Sequence, residues 1–121
     1  MTLRSGVDLI EISRVAEVIA RHGSRYLERI YTAGELEHCG RNVESLAGRF
    51  AAKEAVAKAL GTGIGQVAWK EIEILGDEQN APMLHLSGVA LQVSNRLGLK
   101  EWSLSISHSL SQAVAIAVAI G

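Results

Sequence analysis

Glu54 and Lys58 stand four residues apart in the stretch ESLAGRFAAKEAVAKALGTGIG, residues 44–65, and Arg49 and Lys53 repeat that spacing. On a helix each pair shares one face, the second about a quarter-turn round from the first. A carboxylate so placed could hold a divalent cation while the basic groups neutralise phosphate oxygens. The glycines that follow, Gly61, Gly63 and Gly65, would let the backbone approach a nucleotide closely. No Gly-Lys-Ser/Thr follows them, so this is not a Walker A loop. A solvated face carrying one stabilising Glu-to-Lys pair fits the same spacing. Asp8, between Val7 and Leu9, is a second isolated acid in an apolar setting. Two such carboxylates with cations nearby suffice for metal-assisted phosphoryl transfer, in which positioning and charge neutralisation supply most of the catalysis.

Other chemistries lack their residues. HExxH, CxxC, GxSxG and GxGxxG are all missing. Ser107 and His108 are neighbours on an alternating strand and point to opposite faces, so they do not form a triad with Asp8. Cys39 is the single cysteine, which excludes a disulfide framework and a cysteine-rich zinc site and points to an intracellular, cytoplasmic protein. A formal net charge of −1 provides no field for nucleic acid, and 4% aromatic residues provide few stacking platforms. MTLRSGVDL lacks the layout of a signal peptide, and no run is long enough for a membrane span, so neither membrane nor nucleic acid is an expected partner. A length of 121 residues fits one domain, 1–121.

The elements that must position these groups follow from pattern. LRSGVDLI, residues 3–10, reads as a strand in which Gly6 marks a bulge or a close backbone approach. Ser13 is placed to cap or begin a helix through His22, closed by Gly23, with Arg14 and Arg21 on its outer face. SRYLERIY, with Arg25 and Arg29, is a second short helix, and Thr32 with Glu35 forms a capping box for a third through Cys39. The central helix begins at Glu44 and ends at Gly61. WKEIEIL, residues 69–75, alternates as a strand, GDEQNAP turns, and Pro82 opens its hairpin partner. Gly88–Leu97 is an amphipathic helix. EWSLSISHS alternates again, and its pattern places His108 on the apolar side, as a packed histidine. LSQAVAIAVAI is continuously apolar, a central strand. The order predicts an α+β domain with an antiparallel sheet packed by helices.

Three segments, GVDLIEISRV at 6–15, GRFAAKEAVAKALGTGIG at 48–65 and SLSISHS at 103–109, together resemble the holo-[acyl-carrier-protein] synthases, the short bacterial 4′-phosphopantetheinyl transferases. The resemblance spans almost the whole chain, including Thr32 to Glu35 and the Pro82 hairpin. It implies transfer of the phosphopantetheine arm of coenzyme A to a serine of apo acyl carrier protein, releasing 3′,5′-ADP, in support of fatty acid biosynthesis. It implies that Asp8 and Glu54 are the magnesium ligands and that Lys58 binds the same phosphates as the P–O bond breaks. Arg49, His108 and the loop of Gly61, Gly63 and Gly65 are similar to the residues that hold the nucleotide end. Arg14 and Arg21, with Arg25, match the helix that docks the acidic carrier protein. Either Glu54 or a metal-held water is left to take the serine proton. Family members of this length are trimers with sites between subunits, so a homotrimer is expected. One departure is Asn80, where the family often has glycine; asparagine is the next most tolerant of positive φ.

Overall fold

The computed structural model describes residues 1–121. In chain order it contains β1 (Leu3–Glu11), α1 (Ile12–His22), α2 (Ser24–Ile30), α3 (Ala33–Cys39), α4 (Val43–Leu60), β2 (Ile72–Gly76), β3 (Pro82–Leu86), α5 (Gly88–Arg96), β4 (Glu101–His108) and β5 (Gln112–Ile120). The α+β class and the antiparallel pairing are as expected, but the strands divide between two sheets, β1-β5-β4 and the hairpin β2-β3. β5 is central, as its unbroken apolar run requires, pairing with β1 from Leu3↔Ile120 to Glu11↔Gln112 and with β4 from Glu101↔Ile120 to His108↔Ala113.

α4 runs between these layers. Asn42 caps it by accepting a hydrogen bond from the Ser45 N–H at 2.8 Å, and Gly61 ends it at φ 79°, a left-handed conformation with no side-chain penalty. Its first turns, with Leu46 and Ala47, pack among Ile12, Val15, Leu27, Ile30 and Tyr31 of α1, α2 and the segment after them. The remainder, with Ala51, Ala55, Val56 and Leu60, packs against Ala115, Ala117 and Ala119 of β5 and against Ile72 and Ile74 of β2. Small residues on both sides let helix and sheet approach closely. The tightest point is Gly6, where a Cβ would overlap the Ala55 carbonyl oxygen and lie 2.9 Å from the Ala59 nitrogen. Gly6 is therefore a close backbone approach and not a bulge, since the register passes unbroken through Gly6↔Ala117.

Two local expectations fail for identifiable reasons. Ser13 does not cap α1: the helix starts at Ile12, Glu11 occupies the cap position without a side-chain bond, and the Ile12 N–H donates instead to the Ser111 carbonyl at 2.9 Å. Residues 69–71 are a single 3₁₀ turn and not strand. Glu71 curls back to accept from the Ala68 N–H at 2.7 Å and also accepts from the Val89 N–H at 2.6 Å, so its carboxylate ties the turn to the start of α5. β2 then begins at Ile72. The Thr32 capping box forms with both arms, Glu35 N–H to Thr32 Oγ1 at 3.1 Å and Thr32 N–H to Glu35 Oε1 at 2.9 Å. Asn80 takes φ 62°, the only non-glycine residue in that region, so the hairpin turn survives the replacement of glycine. No helix is long and apolar enough to cross a membrane.

Candidate active site

β1 alternates, so Arg4, Gly6 and Asp8 lie on the side that faces α4, while Leu3, Val7 and Leu9 are exposed on the other. Asp8 is thus delivered to the helix and is not on the outward face of an edge strand. Lys58, in the last turn of α4, donates to Asp8 Oδ1 at 3.2 Å and to the Val7 carbonyl at 2.9 Å. Glu54, one turn earlier on α4, shares with Asp8 an open cleft of about 350 Å³. Partial burial pushes the Glu54 carboxyl above its ordinary pKa, the nearby Asp8 charge pushes in the same direction, and Lys58 opposes both.

The Asp8 charge disfavours ionisation of Glu54, and the two carboxylates converge on one cleft with Lys58 beside them. A divalent cation fits that donor set. No third His, Cys, Asp or Glu joins the pair, which suits magnesium, commonly held by one or two carboxylates with water and substrate oxygens completing its shell.

The cleft also takes in Arg14 at its rim and is walled by Val18, Tyr26 and Phe50. Val18 and Tyr26 continue into an adjoining hollow of about 310 Å³ lined by His22, Arg25 and Arg29. Tyr26 is held there through its hydroxyl, 3.2 Å from that of Tyr31, which donates to the Leu46 carbonyl at 2.8 Å. Tyr31 has its proton committed to Leu46, so Tyr26 donates to Tyr31; burial raises the pKa of both phenols. Arg21 is exposed near the end of α1 and lines neither hollow.

Arg49 and His108 meet in a separate pocket of about 210 Å³, with Glu44, Asn80, Pro82 and Ile106. His108 is exposed there, not packed as its alternation implied, because β4 reaches its end beyond the apolar layer. The glycine loop lies elsewhere: Gly61 is 12 residues, about 18 Å of helix, beyond Arg49. Within one chain the groups expected at the nucleotide end are therefore not gathered in a single pocket. Lys53 is a clear departure from the phosphate reading. It is fully buried, 2.8 Å from Glu35, and donates to the carbonyls of Trp69 at 3.0 Å and Ile72 at 2.6 Å.

Sequence reasoning missed Arg4, whose Nε donates to the Ala59 carbonyl at 2.8 Å and whose guanidinium covers Gly61. The period of two from Gly6 and Asp8 was the signal that placed it on the same face. It also missed the walls Tyr26 and Phe50.

The 4′-phosphopantetheinyl transferase superfamily matches residues 4–119. The chain therefore belongs to that superfamily. It is 48% identical to the holo-[acyl-carrier-protein] synthase of Herpetosiphon aurantiacus over 98% of this chain and 99% of the relative. Its fold superposes on the Helicobacter pylori holo-[acyl-carrier-protein] synthase in complex with coenzyme A with a TM-score of 0.88 at 33% identity, covering 96% of this chain and 99% of the other. For the Bacillus anthracis synthase in complex with coenzyme A (3′,5′-ADP) the TM-score is 0.79 at 37% identity, covering 96% and 94%. Within the superfamily the chain groups with the holo-[acyl-carrier-protein] synthases, the transferases its three motifs resemble.

Proposed function

We propose that this chain, acting as one domain over residues 1–121, transfers the 4′-phosphopantetheine group of coenzyme A to a serine hydroxyl of apo acyl carrier protein. The serine oxygen forms the new P–O bond as the pyrophosphate P–O bond breaks and 3′,5′-ADP leaves. The observation that carries the reading is the meeting of Asp8 and Glu54 at one open cleft, with Lys58 bound to Asp8 beside it. Asp8 and Glu54 would hold magnesium, which when bound supplies charge neutralisation at the pyrophosphate. Lys58 uses two donors on Val7 and Asp8, and its third N–H is free to bind a phosphate oxygen and stabilise charge as the bond breaks. Arg49 and His108 would take the nucleotide end, with Gly61, Gly63 and Gly65 approaching it by backbone.

Arg14, at the rim of the carboxylate cleft, would receive an acidic carrier protein, aided by Arg21 and Arg25. Reversing Arg14 to Glu is expected to raise KM for carrier protein more than KM for coenzyme A; an equal effect on both would count against docking.

The outer face of the three-stranded sheet exposes Leu3, Val7, Leu9, Ile116 and Ile120 with no helix over it. That face supports self-association as a homotrimer, and a neighbouring chain would bring a second set of elements to the separated halves of the nucleotide site. The setting that fits this chemistry is the cytoplasm and fatty acid biosynthesis.

The direct test is mass spectrometry of apo acyl carrier protein incubated with the protein, coenzyme A and magnesium, with EDTA and Asp8→Ala controls. A mass gain of one phosphopantetheine, lost in both controls, is expected. No gain with several carrier proteins, while coenzyme A still bound, would make the chain a binding module.

A further inference from the structure

The turn between β2 and β3 is self-contained. Asp77 Oδ1 accepts from the Gln79 N–H at 2.9 Å and the Ala81 N–H at 2.8 Å, and the Asp77 carbonyl accepts from the Asn80 N–H at 2.9 Å. Only one hydrogen bond joins residues 77–81 to anything outside the hairpin: His38 Nε2, on α3, reaches Asn80 Oδ1 at 2.9 Å. An amide oxygen only accepts, so the histidine donates through Nε2–H. The two side chains meet over Gly76, where a Cβ would fall 2.8 Å from Asn80 Oδ1 and 3.0 Å from the His38 ring. Beyond this contact, Asn80 and Pro82 form one wall of the pocket whose other walls carry Arg49 and His108.

We propose that His38 is a positioning residue: through its hydrogen bond to Asn80 it braces the β2–β3 turn and sets the width of the Arg49–His108 pocket for the nucleotide end of coenzyme A. The inference rests on the reading that this pocket takes that end of the substrate. Its physical basis is the contrast between a rigid turn and a single external attachment. A turn stitched by its own aspartate keeps its shape but pivots as a unit on the two strands, and a tie at its tip removes that motion. Asn80 is suited to both demands, because it tolerates φ 62° and carries the oxygen that a glycine would lack.

The test is a double-mutant cycle read as separate KM values. His38→Leu and Asn80→Gly each remove the bond. The first substitution is at an exposed side chain, and the second keeps the left-handed turn conformation. Each is expected to raise KM for coenzyme A about threefold to tenfold, the worth of one hydrogen bond, with kcat and KM for carrier protein unchanged. The double variant should be no worse than either single one, and His38→Gln, which keeps a donor of similar reach, should restore the parent KM. Additive effects, a matching shift in carrier-protein KM, or a Gln variant as impaired as Leu would overturn the proposal. Arg49→Ala separates the two levels. If it leaves KM for coenzyme A unchanged, the pocket is misassigned and the proposal falls with it. If it raises that KM while His38→Leu does not, only the brace is overturned.

Discussion

Two lysines on α4, five residues apart, each pair with a carboxylate, and the surroundings of the two pairs differ completely. Lys53 and Glu35 are 2.8 Å apart with both side chains 0% exposed; Lys58 and Asp8 are 3.2 Å apart with side chains 52% and 19% exposed. Lys53 has its three N–H groups committed to Glu35, Trp69 and Ile72, and Glu35 in turn accepts from the N–H groups of Thr32 and Ile74. Burial pulls the Lys53 ammonium below its ordinary pKa, with the Glu35 carboxylate opposing. A group so completely satisfied can tie α3, α4 and β2 together, but it has nothing left to offer a substrate. Lys58 keeps a free donor and solvent access. The same pair of residue types is structural where its valences are closed and chemically available where one remains open.

Asp8→Ala is the largest expected break in this contrast. It should lower activity on the order of a thousandfold while leaving the thermal midpoint nearly unchanged, because it removes charge stabilisation and only a partly exposed ion pair. A loss of folding in step with activity, followed by circular dichroism on heating, would erase the distinction. Lys53→Met should do the reverse and destabilise the protein by about 3–5 kcal/mol, lowering the midpoint by roughly 10–20 °C, since it strands the Glu35 carboxylate and two carbonyls. The fraction that stays folded should retain near-parental kcat at low temperature; a folded but inactive variant would mean that Lys53 touches the chemistry. Lys58→Ala should reduce kcat about tenfold to a hundredfold with a stability change under about 1 kcal/mol.

The smallest effect concerns Glu54 without metal. Its folded pKa is raised, so the native state binds the proton more tightly than the unfolded chain, and stability is lost as pH rises through that pKa. In EDTA, Glu54→Gln should therefore gain midpoint relative to the parent as pH rises above the ordinary carboxylate pKa, about pH 4. A difference that shrinks as pH rises would reverse the assigned sign. If the same variant kept both metal affinity and activity, Glu54 would have no part in accepting the serine proton.

Legibility followed the range of the interaction. The capping box at Thr32, the stop at Gly61, the central β5 and the left-handed Asn80 were readable because each depends on neighbours along the chain or on one residue's own sterics. The strand expected over 69–71 failed because Glu71 caps the 3₁₀ turn and also reaches α5, while Lys53 takes the Trp69 carbonyl, and alternation encodes none of these contacts. His108 misled in the same way, since its parity marks the inner face but not that the strand ends beyond the core. The capping role of Glu35 was visible through its neighbour Thr32, whereas its partner Lys53, 18 residues on, was not.

The sequence by itself determined most of the elements, the family and the candidates Asp8, Glu54 and Lys58, because helix spacing, strand parity and a long motif are local properties of the chain. Only the tertiary structure decided which lysine is buried, that Arg14 shares the cleft with the two carboxylates, and that Arg49 and His108 stand apart from the glycine loop. Those outcomes depend on how closely α4 can settle onto β1 and β5. That distance is set at Gly6 and the facing alanines, by packing between residues remote in sequence.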